Sequence, residues 1–194
     1  MKPAIVLTDM VNDFIRLDGP LPVGEEGLKI IPNLQELIRI CREKSLPLVF
    51  ANDALVPDDF MFQSRMKPHG IAGTDGVRII DELETQPHDL IVPKRRLSAF
   101  FRTGLDITLK DWGIDTIVVG GVAAEICVLS TAYDGVSLSF RVIVLEDCCA
   151  SRFKNIHENV ISILKASPMY PLLKVMTLEE FKQNLTTIIP PGDS

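Results

Sequence analysis

Three residues of this chain have the chemistry for acyl transfer between them: a thiol at Cys127, a carboxylate at Asp9 and an ammonium at Lys94. Cys127 lies in Gly120-Gly121-Val122-Ala123-Ala124-Glu125-Ile126-Cys127-Val128, which reads as a strand, a glycine turn and the start of a helix. A thiol there meets unpaired N–H groups and the positive end of the helix dipole. Both favour thiolate, the form that attacks carbonyls. A cysteine taken at random is more often a small buried hydrophobe, but the strand–glycine–helix setting favours the nucleophile here.

Asp9 closes an apolar run in Thr8-Asp9-Met10-Val11-Asn12-Asp13-Phe14. A carboxylate at a strand rim can take a thiol proton and return it to a departing amine. Alone it would read as a loop cap, the role expected of Asp13, bonded to local backbone. Lys94 follows Ile91-Val92-Pro93 and precedes Arg95-Arg96. The two arginines read as solvated surface, whereas Lys94 stands directly beyond a strand. An ammonium there would hold Asp9 and stabilise a thiolate or oxyanion, worth about 4 kcal/mol at ~4 Å before desolvation.

The elements that must position these groups alternate along the chain. Ala4–Leu7, Leu48–Ala51, Leu90–Val92, Thr116–Val119 and Val142–Leu145 are short apolar runs suited to parallel strands covered on both faces, with Leu172–Val175 a weaker sixth. Helical periods lie between them. One opens at Pro32 with Leu34, Leu37, Ile38 and Cys41 on one face; others run over 77–84, over 105–112 before Gly113, from Ala124 to Gly135, over 154–165, and after Thr177, whose spacing to Glu180 fits a capping box. The alternation implies a three-layer α/β/α fold around a mostly parallel, Rossmann-like sheet. In such sheets ligands bind beyond the carboxyl ends of the strands. Asp9, Asp53, Lys94, Gly120-Gly121 and Glu146-Asp147 are therefore expected to converge.

The 194 residues fit a single domain, expected over 1–185, with a C-terminal tail over 186–194. A net charge of −6 argues against a nucleic-acid partner. No apolar run approaches the ~20 residues that span a bilayer, and the N-terminus turns acidic too soon for a signal peptide. The cysteines at 41, 127, 148 and 149 have no zinc-like spacing, so a reducing, cytoplasmic compartment is expected. Cys148 and Cys149 read as buried packing. Phe60 and Phe62 in the long 52–75 loop read as a lid or subunit contact, and Trp112 as core.

Four pieces in order resemble the isochorismatase-like cysteine hydrolases, which include nicotinamidases and N-carbamoylsarcosine amidases. They are Asp9 to Phe14, His69 to Gly76, Pro93-Lys94 with Ser98-Ala99-Phe100, and Gly121-Val122-Ala123 through Cys127-Val128. The resemblance implies a six-stranded parallel sheet, an Asp9–Lys94–Cys127 triad and a cis bond between Val122 and Ala123. That bond turns the Ala123 N–H toward the Cys127 N–H as an oxyanion hole. It implies an amidohydrolase that cleaves a small amide or carbamoyl (ureido) compound through a thioester, and a homodimer or homotetramer. Nicotinamidases of the family hold a metal on an Asp-x-His pair and a later His. Asp53 and His69 match two of these places, but Leu55 fills the third, so no metal or other cofactor is expected to be required. Arg152 matches an arginine that grips a substrate carboxylate in N-carbamoylsarcosine amidase relatives, which favours an N-carbamoylsarcosine-like substrate; an exposed arginine opening a helix is an equal reading. Vinyl-ether hydrolysis of an isochorismate-like substrate and a non-catalytic binding relative remain the competing classes.

Overall fold

A computed structural model of the chain describes residues 1–188. Its strands are β1 (Pro3–Thr8), β2 (Leu48–Asp53), β3 (Leu90–Lys94), β4 (Thr116–Val122), β5 (Arg141–Ala150) and β6 (Leu173–Met176). Its α-helices are α1 (Asn12–Ile15), α2 (Glu25–Lys29), α3 (Ile31–Glu43), α4 (Leu105–Asp111), α5 (Leu129–Ser137), α6 (Lys154–Lys165), α7 (Leu178–Gln183) and α8 (Leu185–Ile188). The strands form one six-stranded sheet in the order β3-β2-β1-β4-β5-β6, every pair parallel. No helix among the described residues is long and apolar enough to cross a membrane.

The strand residues divide by parity, because successive side chains point to opposite faces. Ile5, Leu7, Phe50, Val118, Ile143 and Leu145 pack with Leu34, Leu37 and Cys41 of α3 and Phe181 of α7. Ala4, Val6, Val49, Val119, Val142 and Val144 pack on the other face with Leu105 and Leu109 of α4, Ala132 of α5 and Val160, Ile161 and Leu164 of α6. Each fully buried Leu, Ile or Val adds roughly 1.5–3 kcal/mol. These two apolar layers hold the sheet as a rigid support for the residues at its rim.

Strand order reverses between β1 and β4, and this switch point opens the crevice in which open α/β sheets bind ligands. Close approach of the two strand ends depends on Gly121, at φ +106°: a Cβ there would lie 2.1 Å from the Thr8 carbonyl oxygen. The Thr8 hydroxyl completes the junction by bonding the Gly120 and Val122 carbonyls at 3.3 and 3.1 Å.

Several expected features hold and others shift. α6 spans Lys154–Lys165, Gly113 stops the α4 segment at φ +69°, and Thr177 and Glu180 form the full capping box. The 77–84 segment is not a helix. It makes 3₁₀ turns over Asp75–Val77 and Asp81–Leu83, because Ile79 bridges to Val11 and the Ile80 N–H donates to the Met10 carbonyl at 3.1 Å. β5 continues past Leu145, so Glu146 and Asp147 lie within the strand. Lys165 pairs with Glu146 at 2.7 Å, and Asp147 accepts the Leu178 N–H at 2.8 Å. Trp112 is 39% exposed at the end of α4 and is not core. Residues 186–188 of the expected tail belong to α8; the rest of it, 189–194, lies outside the described residues.

Candidate active site

The C-terminal rim of the sheet brings Asp9, Lys94 and Cys127 together. Asp9 follows β1 in the left-handed region, at φ +55°, a backbone state uncommon outside glycine and one that Asp tolerates better than most residues. Its N–H donates to the Ala51 carbonyl at 3.1 Å, and its Oδ1 accepts the Asp53 N–H at 2.8 Å. The side chain is thereby aimed across the end of β2 toward β3. Lys94 ends β3 with its side chain fully buried. Its Nζ lies 2.8 Å from Asp9 Oδ2, bonds Asp53 Oδ1 and lies 3.5 Å from Cys127 Sγ.

Cys127 sits in a π-helical turn, Ala124–Val128, that feeds directly into α5. The Ala123 carbonyl anchors this turn by accepting the N–H groups of Ile126 and Val128 at 3.0 and 3.3 Å. The peptide bond between Val122 and Ala123 is cis. Ala123 and Cys127 both face a cavity of about 170 Å³, together with Asp9, Asp53 and Arg152. The long 52–75 loop adds Met61, Met66 and His69 to its wall.

Burial drives the protonation pattern. It raises the Asp9 carboxyl to about 6, helped by the neighbouring Asp53 charge and opposed by Lys94. It also pushes the Cys127 thiol well above its ordinary range, and the Asp9 carboxylate pushes it further. Burial disfavours the charged Lys94, but Asp9, the Cys127 sulfur and Asp53 outweigh it and hold the ammonium well above its usual value. Two carboxylates already surround one ammonium, so a thiolate would add charge of the wrong sign. The helix terminus favours a thiolate, whereas burial and the neighbouring carboxylates favour the thiol.

Asp53 joins this centre more closely than its place in the sequence indicates. Burial would raise its carboxyl, but Lys94 and His69 together draw it below the ordinary range. His69 is buried between the rings of Phe14 and Phe62, at centroid distances of 5.3 and 5.6 Å. Its Nδ1 donates to the Lys67 carbonyl at 2.6 Å, and its Nε2 faces Asp53 Oδ2 at 3.7 Å. Burial lowers the imidazole, yet the Asp53 carboxylate and the Lys67 carbonyl raise it above its usual value. Gly70, at φ +58°, lets this loop close on Asp53; a Cβ there would lie 2.8 Å from that of Asp53.

The possible metal donors at this rim already engage other protein groups. Asp53 and His69 have only the buried, apolar Leu55 in the third family position. Ligand atoms of Asp9, Asp53 and Cys127 lie within 4.8 Å of one another, but the Lys94 ammonium already contacts all three.

Arg152 is exposed and lines the cavity, with its guanidinium 5.7 Å from the Phe153 ring. Cys148 and Cys149 are free, buried and on opposite faces of the sheet, and burial raises both thiols. Asp13 is not bonded locally: its Oδ2 accepts the Gly70 N–H at 2.8 Å, tying the first loop to the His69 loop. Phe62 packs on His69 and Phe60 is largely exposed. Arg95 and Arg96, read as solvated surface, line the cavity and pair with the buried Asp59. Asp59 escaped the sequence reading altogether. Its only signal was an acidic residue in the long loop opposite the basic Lys94-Arg95-Arg96 run.

The chain is similar to known proteins over most of its length. A family model described as Isochorismatase domain matches residues 3–180. The chain is 46% identical over 170 residues to the ureidoacrylate amidohydrolase RutB of Pantoea ananatis, covering 75% of this chain and 68% of that protein. An isochorismatase-like hydrolase from Alkaliphilus metalliredigens superposes with a TM-score of 0.88 at 37% identity, over 95% of this chain and 100% of that one. The N-carbamoylsarcosine amidase from Thermoplasma acidophilum does so with a TM-score of 0.79 at 34% identity, over 92% and 98%. With the fold, the crevice and a match across nearly the whole chain in agreement, this protein belongs to the isochorismatase family.

Proposed function

We propose that this chain is a cysteine-dependent amidohydrolase acting on the C–N bond of a small amide or carbamoyl (ureido) compound. The observation that carries the reading is the buried Lys94 ammonium, 2.8 Å from Asp9 and 3.5 Å from the Cys127 sulfur, with Asp9 and Cys127 themselves lining a cavity. In the proposed first step the sulfur attacks the substrate carbonyl carbon as its proton passes to Asp9. A carboxyl raised to about 6 is a stronger base than an ordinary one and, once protonated, still a usable acid near neutrality. The oxyanion forms against the N–H groups of Ala123 and Cys127, where one well-placed donor is worth roughly 2.7–4 kcal/mol. Asp9 returns the proton to the leaving nitrogen, ammonia departs, and a thioester remains. Water, deprotonated by Asp9, then releases the acid (a carbamate, for a ureido substrate) and restores the thiol. Lys94 keeps Asp9 ionised and aimed, and no step is assigned to a metal.

The relatives' names bear on the substrate. One is a ureidoacrylate amidohydrolase and another an N-carbamoylsarcosine amidase, and both names describe a carbamoylated nitrogen compound. Arg152 on the cavity wall supports a carboxylate on the far end of the substrate, since the planar guanidinium fork suits a two-oxygen partner. An N-carbamoylsarcosine-like compound is the favoured substrate. Leu55 in the third metal position disfavours nicotinamide. A homodimer or homotetramer in the cytoplasm completes the reading. A panel of carbamoyl amino acids, ureidoacrylate and simple amides, scored by ammonia release, tests it. Turnover confined to carbamoyl or amide compounds supports it, and turnover of isochorismate alone refutes it.

A further inference from the structure

Just outside the catalytic centre is a second charged assembly, built on one buried carboxylate. Asp59 has no exposed side-chain surface. Its Oδ2 accepts Arg95 Nε at 3.0 Å and Nη2 at 2.6 Å, and its Oδ1 accepts Arg96 Nη1 at 3.2 Å. The same Oδ1 accepts the Met61 N–H at 3.2 Å, capping the 3₁₀ turn Phe60–Gln63. One carboxylate thus joins the 52–75 loop to the two residues that follow Lys94. Arg95, Arg96 and Met61 all face the cavity.

The two arginines are not used alike. Arg95 places two donors on Asp59. Arg96 commits only Nη1 to side-chain and backbone acceptors, so its Nε and Nη2 have no protein partner among the described residues. Its side chain is 35% exposed, placing it at the mouth of the cavity rather than its floor.

Charge is graded along the cavity. At the floor, Asp9 and Asp53 face the single ammonium of Lys94. Arg95, Arg96 and Arg152 line the same cavity with Glu125, whose carboxylate accepts the Ser151 hydroxyl, and Arg95 and Arg96 pair with Asp59. An anionic group is repelled by the floor and attracted by the mouth, so a substrate with one neutral and one anionic end enters neutral end first.

We infer that Arg96, lining the same cavity as Arg152, is a second arginine that reads the anionic group of the substrate, and that Asp59 is the positioning residue that orients Arg96. Arg96 offers two free donors of one guanidinium, which match the two oxygens of a carboxylate. Asp59 fixes the side chain so that less rotamer freedom is lost on binding. This inference rests on the proposed carbamoyl or amide hydrolysis for its choice of probe, but binding tests it separately from turnover.

The experiment measures N-carbamoylglycine and its methyl ester binding to the Cys127→Ala protein by calorimetry, with and without Arg96→Gln. Loss of a charge-assisted hydrogen bond is expected to weaken the acid by ~10- to 100-fold and the ester by less than about threefold. Equal weakening of both, no weakening of either, or no binding of the acid to the Cys127→Ala protein overturns the inference. In the protein with Cys127 intact, Asp59→Asn is expected to raise KM for the acid several-fold with kcat unchanged. An unchanged or lower KM would mean that Asp59 does not orient Arg96 for binding, and would overturn its positioning role. If Asp59→Asn fails to fold, the Arg96→Gln titrations still decide the inference. Absence of ammonia release from every carbamoyl compound, with acid binding and its Arg96 dependence intact, would instead sink the hydrolase reading alone.

Discussion

Replacing Lys94 with methionine keeps the length of the side chain and removes its charge. Asp9 and Asp53, both buried, would then face each other without a cation between them. At 2.8 Å and an effective dielectric of ~20, the attraction lost between Lys94 and Asp9 alone is about 6 kcal/mol. Part of this is recovered because the burial cost of the ammonium also disappears. Removing one partner of a buried pair typically costs about 3–5 kcal/mol, and Lys94→Met is expected to fall in that range near pH 8. The loss should depend on pH. Without Lys94 the Asp9 carboxyl, already raised to about 6 by burial and the Asp53 charge, should rise further above the ordinary carboxylate range. Such a group contributes stability that is fully present below the unfolded pKa and lost as pH rises through the folded one. Urea unfolding at pH 5 and pH 8 should therefore show the variant's deficit growing with pH. A deficit below about 1 kcal/mol that is the same at both pH values would refute the assignment of Lys94 as the buried counter-ion of two carboxylates.

Other outcomes follow from the same geometry. The acid limb of kcat/KM should fall at an apparent pKa near 6, because Asp9 must be ionised to accept the thiol proton; a limb near 4 would show an ordinary carboxylate at work. Arg152→Ala should raise KM for carbamoyl amino acids by ~10-fold or more while leaving kcat within about twofold, and an unchanged KM would remove Arg152 from the binding site. Dialysis against a chelator should leave turnover intact. A loss reversed by zinc would overturn the reading of Asp53 and His69 as an ion-paired couple beside Lys94.

Much of this architecture can be read from local pattern. Apolar runs of three or four residues, each followed two positions later by Asp9, Asp53 or Lys94, are enough to place those groups on one rim, because parallel strands share a direction. The Thr177–Glu180 box and the helix over Lys154–Lys165 are local as well. What was not legible depends on contacts between distant segments. The 77–84 stretch carries a helical period, but bonds to Met10 and Val11 hold it in turns. Glu146 and Asp147 look like the end of a strand, yet Lys165 and the head of α7 satisfy them within β5. The most consequential gap was electrical. A thiol at the start of a helix reads as thiolate, and only the third dimension shows two carboxylates beside it and a single shared ammonium. The pairing of Asp59 with Arg95 and Arg96 spans more than thirty residues and follows no spacing rule.

The nucleophilic role of Cys127 is tested most directly by comparing ammonia release from the parent protein and its Cys127→Ala variant, on whichever carbamoyl or amide compound the parent turns over. The substitution removes a small buried sulfur and leaves both apolar layers of the sheet in place, so the variant should remain folded. Its turnover is expected to fall by at least ~10⁴-fold, as when other catalytic nucleophiles are removed. A folded Cys127→Ala protein that still releases ammonia within tenfold of the parent rate would contradict the mechanism at its first step.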